Sequence, residues 1–382
     1  MSNPGEWRPR VLICGTGFGR VYLSAVRRPG MPFELAGILA RGSRRSVACA
    51  QRYQVPLYTE VDALPGGLEL ACVVVNAGIN GGRGAELAQE LMSRGMHVLQ
   101  EHPLDQSELA ACLRQARRSG VMYQVNSHYI HVPAVECFIR AARRLTERQA
   151  PLFVDAISSF QVLYTLIDIL GQVLGGIRPW SLTVAPEPAG APAVLRSVNV
   201  DLGGVPVSLR IQNQLDPRRR DNGPHIMHRV TLATEGGNLL LATTQGPVLW
   251  NPRLHMPEDY PQAVTVRESA AGHLDLPSVR CLTASAGPSY RDVIADEWPL
   301  AVARSLTGLR AAILAGGDPL TGGRYHLAVS RLVAAITAQL GRPEVRAAGD
   351  PAILEAAEAV AGAPGAGRSQ PLANSQPSPS AR

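Results

Sequence analysis

Two domains are what this sequence predicts: an N-terminal α/β unit with a doubly wound parallel sheet, then an α+β unit with a mostly antiparallel sheet. Three observations carry the expectation. Over the first 126 residues short apolar runs alternate with helical patterns. Within that stretch Arg10-Val-Leu-Ile-Cys-Gly15-Thr-Gly17-Phe-Gly19-Arg20 sets a strand, a glycine turn and a helix in succession. Further along, the hydrophobic period changes from helical to two. Strands apolar on both faces and separated by helices require a buried parallel sheet, whereas strict alternation requires a sheet with one buried face.

In order along the chain, the apolar runs predict strands at 11–14, 33–39, 70–76, 97–100 and 121–126. A helix over 84–94 places Leu87, Ala88, Leu91 and Met92 at helical spacing and stops at Gly95. Asp105-Gln-Ser-Glu108 has the form of a capping box; the helix it starts buries Leu109, Cys112, Leu113 and Ala116 and ends at Gly120. A linking helix follows near 133–147. In the second domain Val198, Val200 and Leu202 alternate with polar residues, Gly203-Gly204 make a two-residue turn, and Val205, Val207, Leu209 and Ile211 alternate again. A second hairpin turns at Glu235-Gly-Gly-Asn238 and joins 228–234 to 239–244. Helices near 162–174, 293–314 and 326–340 are expected to cover this sheet. Its remaining face calls for a second subunit, so a homodimer is expected. The division is 1–126 for the first domain, 127–362 for the second, and a tail at 363–382 of Pro, Gly, Ala, Ser and Gln that is expected to be disordered.

Composition narrows the function classes. The net charge of +6 rests on arginine alone, because the chain contains no lysine; Schiff-base lysines and lysine general acids are therefore excluded. The positive charge is not gathered with aromatic residues into a stripe, which speaks against nucleic acid as a partner. Arg218–Arg220 after Pro217 form the densest basic run and read as a solvated loop or a docking point for an acidic partner. No apolar run reaches the roughly 18 to 20 residues of a membrane span, and the N-terminus lacks the apolar core of a secretory signal, so a cytoplasmic location is expected. The six cysteines, Cys14, Cys49, Cys72, Cys112, Cys137 and Cys281, include no CxxC pair and read as small hydrophobes in a reducing compartment. His128/His131 and His225/His228 lack the flanking pattern of a metal site, so no metal is expected. A G-x-S-x-G elbow is absent, against a serine hydrolase.

The glycine turn points to a dinucleotide. Gly15, Thr16, Gly17, Phe18, Gly19 and Arg20 form a tight turn that lets backbone approach a pyrophosphate at the amide-rich start of a helix. Arg20 stands where a third small residue is usual. About 20 residues on, an NAD site carries an acid for the ribose 2′-hydroxyl; here the second strand runs into Ala40-Arg41-Gly42-Ser43-Arg44, which suits a 2′-phosphate and hence NADPH/NADP+. Ligands of such sheets lie outside the carboxyl ends of the strands. The segments there are Asn76-Ala77-Gly78, Gln100-Glu101-His102-Pro103 and Asn126-Ser-His128-Tyr129. A reductase needs a proton donor beside its hydride source, and His102 and Tyr129 are the candidates, with Glu101 adjacent. His97 reads as structural.

At these residues the chain resembles the Gfo/Idh/MocA oxidoreductases, in which a Rossmann domain precedes an antiparallel α/β domain and the motif after the fourth strand is Glu-Lys-Pro. Here it is Glu101-His102-Pro103, which argues against the sugar-dehydrogenase branch. A closer resemblance is to the thiazolinyl imine (imide) reductases of siderophore assembly lines, of pyochelin and yersiniabactin type. It runs through Gly15-Thr-Gly-Phe-Gly-Arg-Val-Tyr-Leu23, Leu39-Ala-Arg-Gly-Ser-Arg44, Val98-Leu-Gln-Glu-His-Pro-Leu104, His128-Tyr-Ile-His131, Leu163-Tyr-Thr-Leu-Ile-Asp168 and Gly246-Pro-Val-Leu-Trp-Asn-Pro-Arg-Leu-His-Met-Pro257. The resemblance implies NADPH-dependent reduction of a thiazoline C=N to a thiazolidine. Its substrate would be tethered through phosphopantetheine to a carrier domain of a nonribosomal peptide synthetase. The same resemblance implies proton donation by His102 or Tyr129. Two other readings stand beside it: a reductase or dehydrogenase of the superfamily acting on a free small molecule, and a non-catalytic cofactor-sensing protein.

Overall fold

The computed structural model describes residues 7–77, 81–184, 194–216, 224–257, 271–318, 320 and 322–346. The expected docking run at 217–220 and the tail at 363–382 lie outside them. Six strands form the first sheet: β1 (Arg10–Cys14), β2 (Glu34–Leu39), β3 (Leu57–Tyr58), β4 (Leu70–Val73), β5 (His97–Glu101) and β6 (Tyr123–Asn126). Their order is β3-β2-β1-β4-β5-β6, with every pair parallel. The order reverses between β1 and β4, so the crevice for a ligand opens at the carboxyl ends of those strands. β3 has only two residues, too short for an apolar run to announce it.

Gly15 follows β1 and fixes the crevice. Its amide donates to the Leu39 carbonyl at 2.8 Å. Its φ is +92°, and a Cβ there would lie 2.5 Å from the Val74 carbonyl oxygen. Gly15→Ala must therefore strain the backbone and push β1 from the start of the β4 loop. We expect a loss of at least about 2 kcal/mol, read as a lower urea midpoint at unchanged m-value; an unaltered midpoint refutes the account.

Helices α1 (Gly19–Val26), α2 (Arg44–Tyr53), α3 (Gly84–Ser93) and α4 (Gln106–Ser119) connect these strands. The capping box of α4 forms: Asp105 accepts from the Ser107 amide at 2.7 Å, Glu108 accepts from the Asp105 amide at 3.1 Å, and Gly120 closes the helix at φ 65°.

After α5 (Pro133–Thr146) the chain builds an eight-stranded sheet from β7 (Phe153–Ser159), β8 (Trp180–Val184), β9 (Leu195–Leu202), β10 (Val205–Gln212), β12 (His228–Thr234), β13 (Gly237–Leu241), β14 (Val248–Pro252) and β15 (Arg280–Cys281). β11 (Gln214–Leu215) and β16 (Glu344–Val345) pair separately. The eight-stranded sheet is antiparallel except where β7 meets β10. Both expected hairpins are present, the first closing with Leu202 opposite Val205. Register stacks Val198, Val200, Leu209 and Val207 with Ala156 and Val154 on the inner face, under α5 and α6 (Leu163–Leu174).

One expectation fails. α7 (Tyr290–Asp292) passes through a π turn at Val293–Glu297 into α8 (Trp298–Leu314), and α8 does not cover the second sheet. Its fully buried stripe of Val302, Leu306 and Leu309 packs with Val11, Ile13, Tyr22 and Val26 of the first domain. The spacing of that stripe shows that one face is buried; which surface it meets depends on a partner some 280 residues away. α9 (Gly323–Leu340) packs on α6 and reaches α4.

Candidate active site

The site grows from the carboxyl ends of β5 and β6. Glu101 ends β5 with its side chain 14% exposed. The Tyr22 hydroxyl, carried in by α1, donates to its Oε2, and the Asn126 amide donates to that hydroxyl. On the other oxygen, His102 Nδ1 lies 3.1 Å from Oε1 and His128 Nδ1 3.6 Å. His102 Nδ1 is also 2.9 Å from the Asn126 carbonyl oxygen. Facing two acceptors, Nδ1 must carry a hydrogen, so the network assigns the tautomer and leaves Nε2 for a ligand.

The charges sort themselves by contact. Burial alone would raise the Glu101 carboxyl, but His102 and His128 outweigh it and hold it at about 2. Burial presses His102 down, and the Glu101 charge and hydrogen bond overcome that, so its imidazole titrates above the ordinary histidine value. His128, further from the carboxylate, is lowered by its burial. One histidine of the pair is thus prepared to hold a proton and the other to stay neutral.

Tyr129 arrives on the short 3-10 turn His128–His131. Its ring centroid is 4.2 Å from that of His128, 5.1 Å from His228 and 6.4 Å from His102. Phe18 of the glycine turn packs on His128 at 5.2 Å and on Trp298, at the start of α8, at 5.7 Å. The fold thus brings His102, Tyr129 and Glu101 together as expected. It adds residues to which the sequence assigned no role: Tyr22, Tyr164, Asp168 and Trp298. Asp168 had a signal, as the one acid in the apolar run 163–174; Tyr22 had none, being an ordinary apolar position of a helix.

No metal was expected, yet Glu101, His102 and His128 place one ligand atom each within 4.8 Å of one another. The hydrogen on His102 Nδ1, directed at Glu101 and the Asn126 carbonyl, leaves that atom no lone pair for a cation in this arrangement. His228 is buried between Thr165 at 2.7 Å and Thr244 at 3.1 Å, and burial lowers it to about 3; it is a neutral core residue. His97 accepts from the Met122 amide at 2.9 Å, a structural bond.

The crevice fits a dinucleotide. Phe18 at the start of α1 offers no side-chain cap, and the first turn holds no acid, so its amides are open to an anion. A Cβ on Gly17 would meet nothing within 4 Å, which leaves room against the backbone. Arg20 donates to the Gly17 carbonyl at 3.2 Å, bracing the turn from outside. Arg41, Gly42, Ser43 and Arg44 are exposed where β2 leads into α2, with Ala40 half-buried before them; Ser43 caps α2 through the Ser46 amide. Asn76 is exposed beyond β4, Ala77 is buried behind it, and Gly78 lies outside the described residues. Along the end of β6, Asn126 Oδ1, Ser127 Oγ and both ring nitrogens of His128 are buried without a hydrogen-bond partner. Successive orphaned groups of this kind await a polar ligand such as a carboxamide. Among the described residues no helix is long and apolar enough to cross a membrane.

Comparison with known proteins agrees with this geometry. The sequence profile of the Gfo/Idh/MocA oxidoreductase family, NAD-binding Rossmann fold, matches residues 9–127. That of the Irp3-like thiazolinyl imine reductases, C-terminal domain, matches residues 149–251. No curated protein matches by sequence. Among solved structures, a levoglucosan dehydrogenase in complex with NADH and levoglucosan superposes with a TM-score of 0.63 at 12% identity, covering 87% of this chain and 98% of its own. An oxidoreductase from Agrobacterium radiobacter with NAD+, L-tartaric acid and magnesium gives 0.62 at 13%, over 86% and 95%. KijD10, a 3-ketoreductase from Actinomadura kijaniata with NADP, gives 0.61 at 17%, over 88% and 99%. At such identities the likeness is one of fold.

Proposed function

We propose, from the premise that this chain belongs to the Gfo/Idh/MocA oxidoreductases and carries the C-terminal domain of the thiazolinyl imine reductases, that it uses NADPH to reduce a thiazoline C=N to a thiazolidine on a siderophore precursor. The precursor is held as a phosphopantetheine thioester on a carrier domain of a nonribosomal peptide synthetase. An NAD(P)-dependent oxidoreductase acting on C=N is the coarser statement that the two family matches already carry. The observation behind the finer one is His102, standing where the sugar dehydrogenases have lysine and oriented by Glu101 and Asn126.

A nicotinamide dinucleotide held by the turn from Gly15 to Arg20 would supply the hydride for the C=N carbon. His102 then completes the reduction: Nε2 releases its proton to the ring nitrogen, forming N–H, while Nδ1 stays hydrogen-bonded to Glu101. Glu101 stabilises the imidazolium before transfer and keeps the tautomer fixed after it. Tyr129, packed edgewise on His102, shields the imidazole and is the alternative donor. Phe18, Trp298 and Tyr129 give the crevice aromatic walls suited to a flat aryl-thiazoline substrate.

The outer face of the second sheet presents Asn199, Ser208, Arg210 and Phe153, of which Phe153 is 48% exposed. We take this face as the homodimer contact, which a monomeric mass in light scattering would remove. The function itself is tested by NADPH oxidation with a synthetic hydroxyphenyl-thiazolinyl-thiazoline thioester beside a panel of sugars. Turnover of the thioester is expected; turnover of sugars alone overturns the proposal.

A further inference from the structure

We propose that Tyr164 is a positioning residue for His102, held in place by α9; this rests on His102 being the proton donor of the reaction proposed above. Tyr164 is buried near the start of α6, and its ring lies flat against the imidazole of His102, with centroids 5.4 Å apart and planes 16° apart. Behind it stands His326 of α9, whose ring is within 11° of the Tyr164 plane and whose Nδ1 is 2.9 Å from the Tyr164 hydroxyl. Three rings from three elements therefore lie nearly parallel, in the order His102, Tyr164, His326.

α9 grips the donor from two sides. Ser330, one turn beyond His326 and so on the same helix face, donates to the Leu104 carbonyl at 3.3 Å. Leu104 is two residues after His102. The helix thus holds both the loop that carries the imidazole and the ring that flattens it. A reciprocal bond fixes the two helices: Tyr325 of α9 donates to Asp168 Oδ1 of α6 at 2.7 Å and to the Asp168 carbonyl at 3.0 Å. Asp168 is one turn from Tyr164, so each helix sends a tyrosine hydroxyl to the other. Close seating of α9 on α4 completes the clamp, since a Cβ on Gly323 would stand 2.4 Å from Leu113.

The need for such a clamp follows from the imidazole itself. Rotation about the last side-chain bond of histidine is soft, and a rotated ring loses Glu101 and the Asn126 carbonyl together. A flat neighbour removes that freedom without competing for either ring nitrogen. The titratable groups around His102 are Glu101 beside it, His128 and Tyr129 from the 3-10 turn, Tyr164 and Asp168 from α6, His228 from β12, and His326 from α9. His326 is lowered by its burial, so the clamp places no second cation beside the donor.

The test compares Tyr164→Leu, which removes the ring, with Tyr164→Phe, which keeps it and removes only the hydroxyl. Two quantities are read: kcat against pH with the thiazolinyl thioester, and the titration of His102 by NMR of histidine-labelled full-length protein without substrate. Tyr164→Leu is expected to lower kcat by roughly 10- to 100-fold, as misplacement of a reacting group does. In the same variant His102 should titrate at lower pH, because the imidazole leaves Glu101. Tyr164→Phe and Ser330→Ala, which keep the ring but each loosen one hold of α9, should fall between wild type and Tyr164→Leu in both quantities. Should Tyr164→Leu not fold, the Ser330→Ala and Tyr164→Phe titrations decide. A His102 titration unmoved in both Tyr164→Leu and Ser330→Ala overturns the proposal. Full activity of His102→Ala would instead remove the donor assignment, and the NMR titration separates that failure from this one.

Discussion

Replacing His102 with Ala is expected to slow imine reduction by roughly 10² to 10⁴-fold, the usual contribution of a positioned general acid, with cofactor binding little changed. The reason is local: His102 alone combines a raised imidazole with an Nδ1 fixed on Glu101 and on the Asn126 carbonyl. Full activity in the variant would assign the proton to Tyr129 or to water. The pH dependence has a definite sign. Because Glu101 raises His102, the protonated donor is present at low pH and persists above the ordinary value of about 6.5. Activity is lost as pH rises through the raised value. In Glu101→Gln the main raising influence is gone while a hydrogen-bond acceptor remains, so the alkaline limb of kcat/KM should move to lower pH. An unmoved limb would separate the rate from His102 ionisation.

The double variant Arg41→Ala, Arg44→Ala is expected to lose about 10²-fold in affinity for NADPH, because charge-assisted bonds to a phosphate are about twice as strong as neutral ones. Affinity for NADH should barely move. Both arginines are exposed where β2 leads into α2, whose first turn holds no acid, so no carboxylate there would accept a bond from a ribose 2′-hydroxyl. Fluorescence titration with both cofactors checks this. Equal losses for the two would refute the 2′-phosphate assignment and place the arginines on the common part of the dinucleotide.

Much of the architecture could be read from residues in one dimension, since it depends on near neighbours. The five longer strands of the first sheet, the α4 capping box at Asp105 and Glu108 and the Gly203-Gly204 hairpin all obey local rules of period, capping and turn chemistry. The site was legible in part for the same reason, because Glu101, His102 and Tyr129 follow strands whose carboxyl ends must face the crevice. Asp168 could have been noticed as an acid in an apolar helix. Tyr22, Tyr164 and Trp298 could not, since an aromatic residue at a helical core position looks the same whether it meets aliphatic chains or the polar groups of a site.

By itself the sequence determined the class of chemistry. A glycine turn for a dinucleotide, an arginine pair in place of an acid, the absence of lysine and a histidine before Pro103 are properties of residue type and spacing. Only the tertiary structure decided that the imidazole of His102 is raised and that of His128 lowered, since His102 lies 3.1 Å from Glu101 while buried His128 lies at 3.6 Å. The tertiary structure also decided that α8 packs on the first domain and that α9 seats on α6 and α4. Those contacts join residues far apart along the chain. Their energies depend on distance in space, which no local pattern encodes.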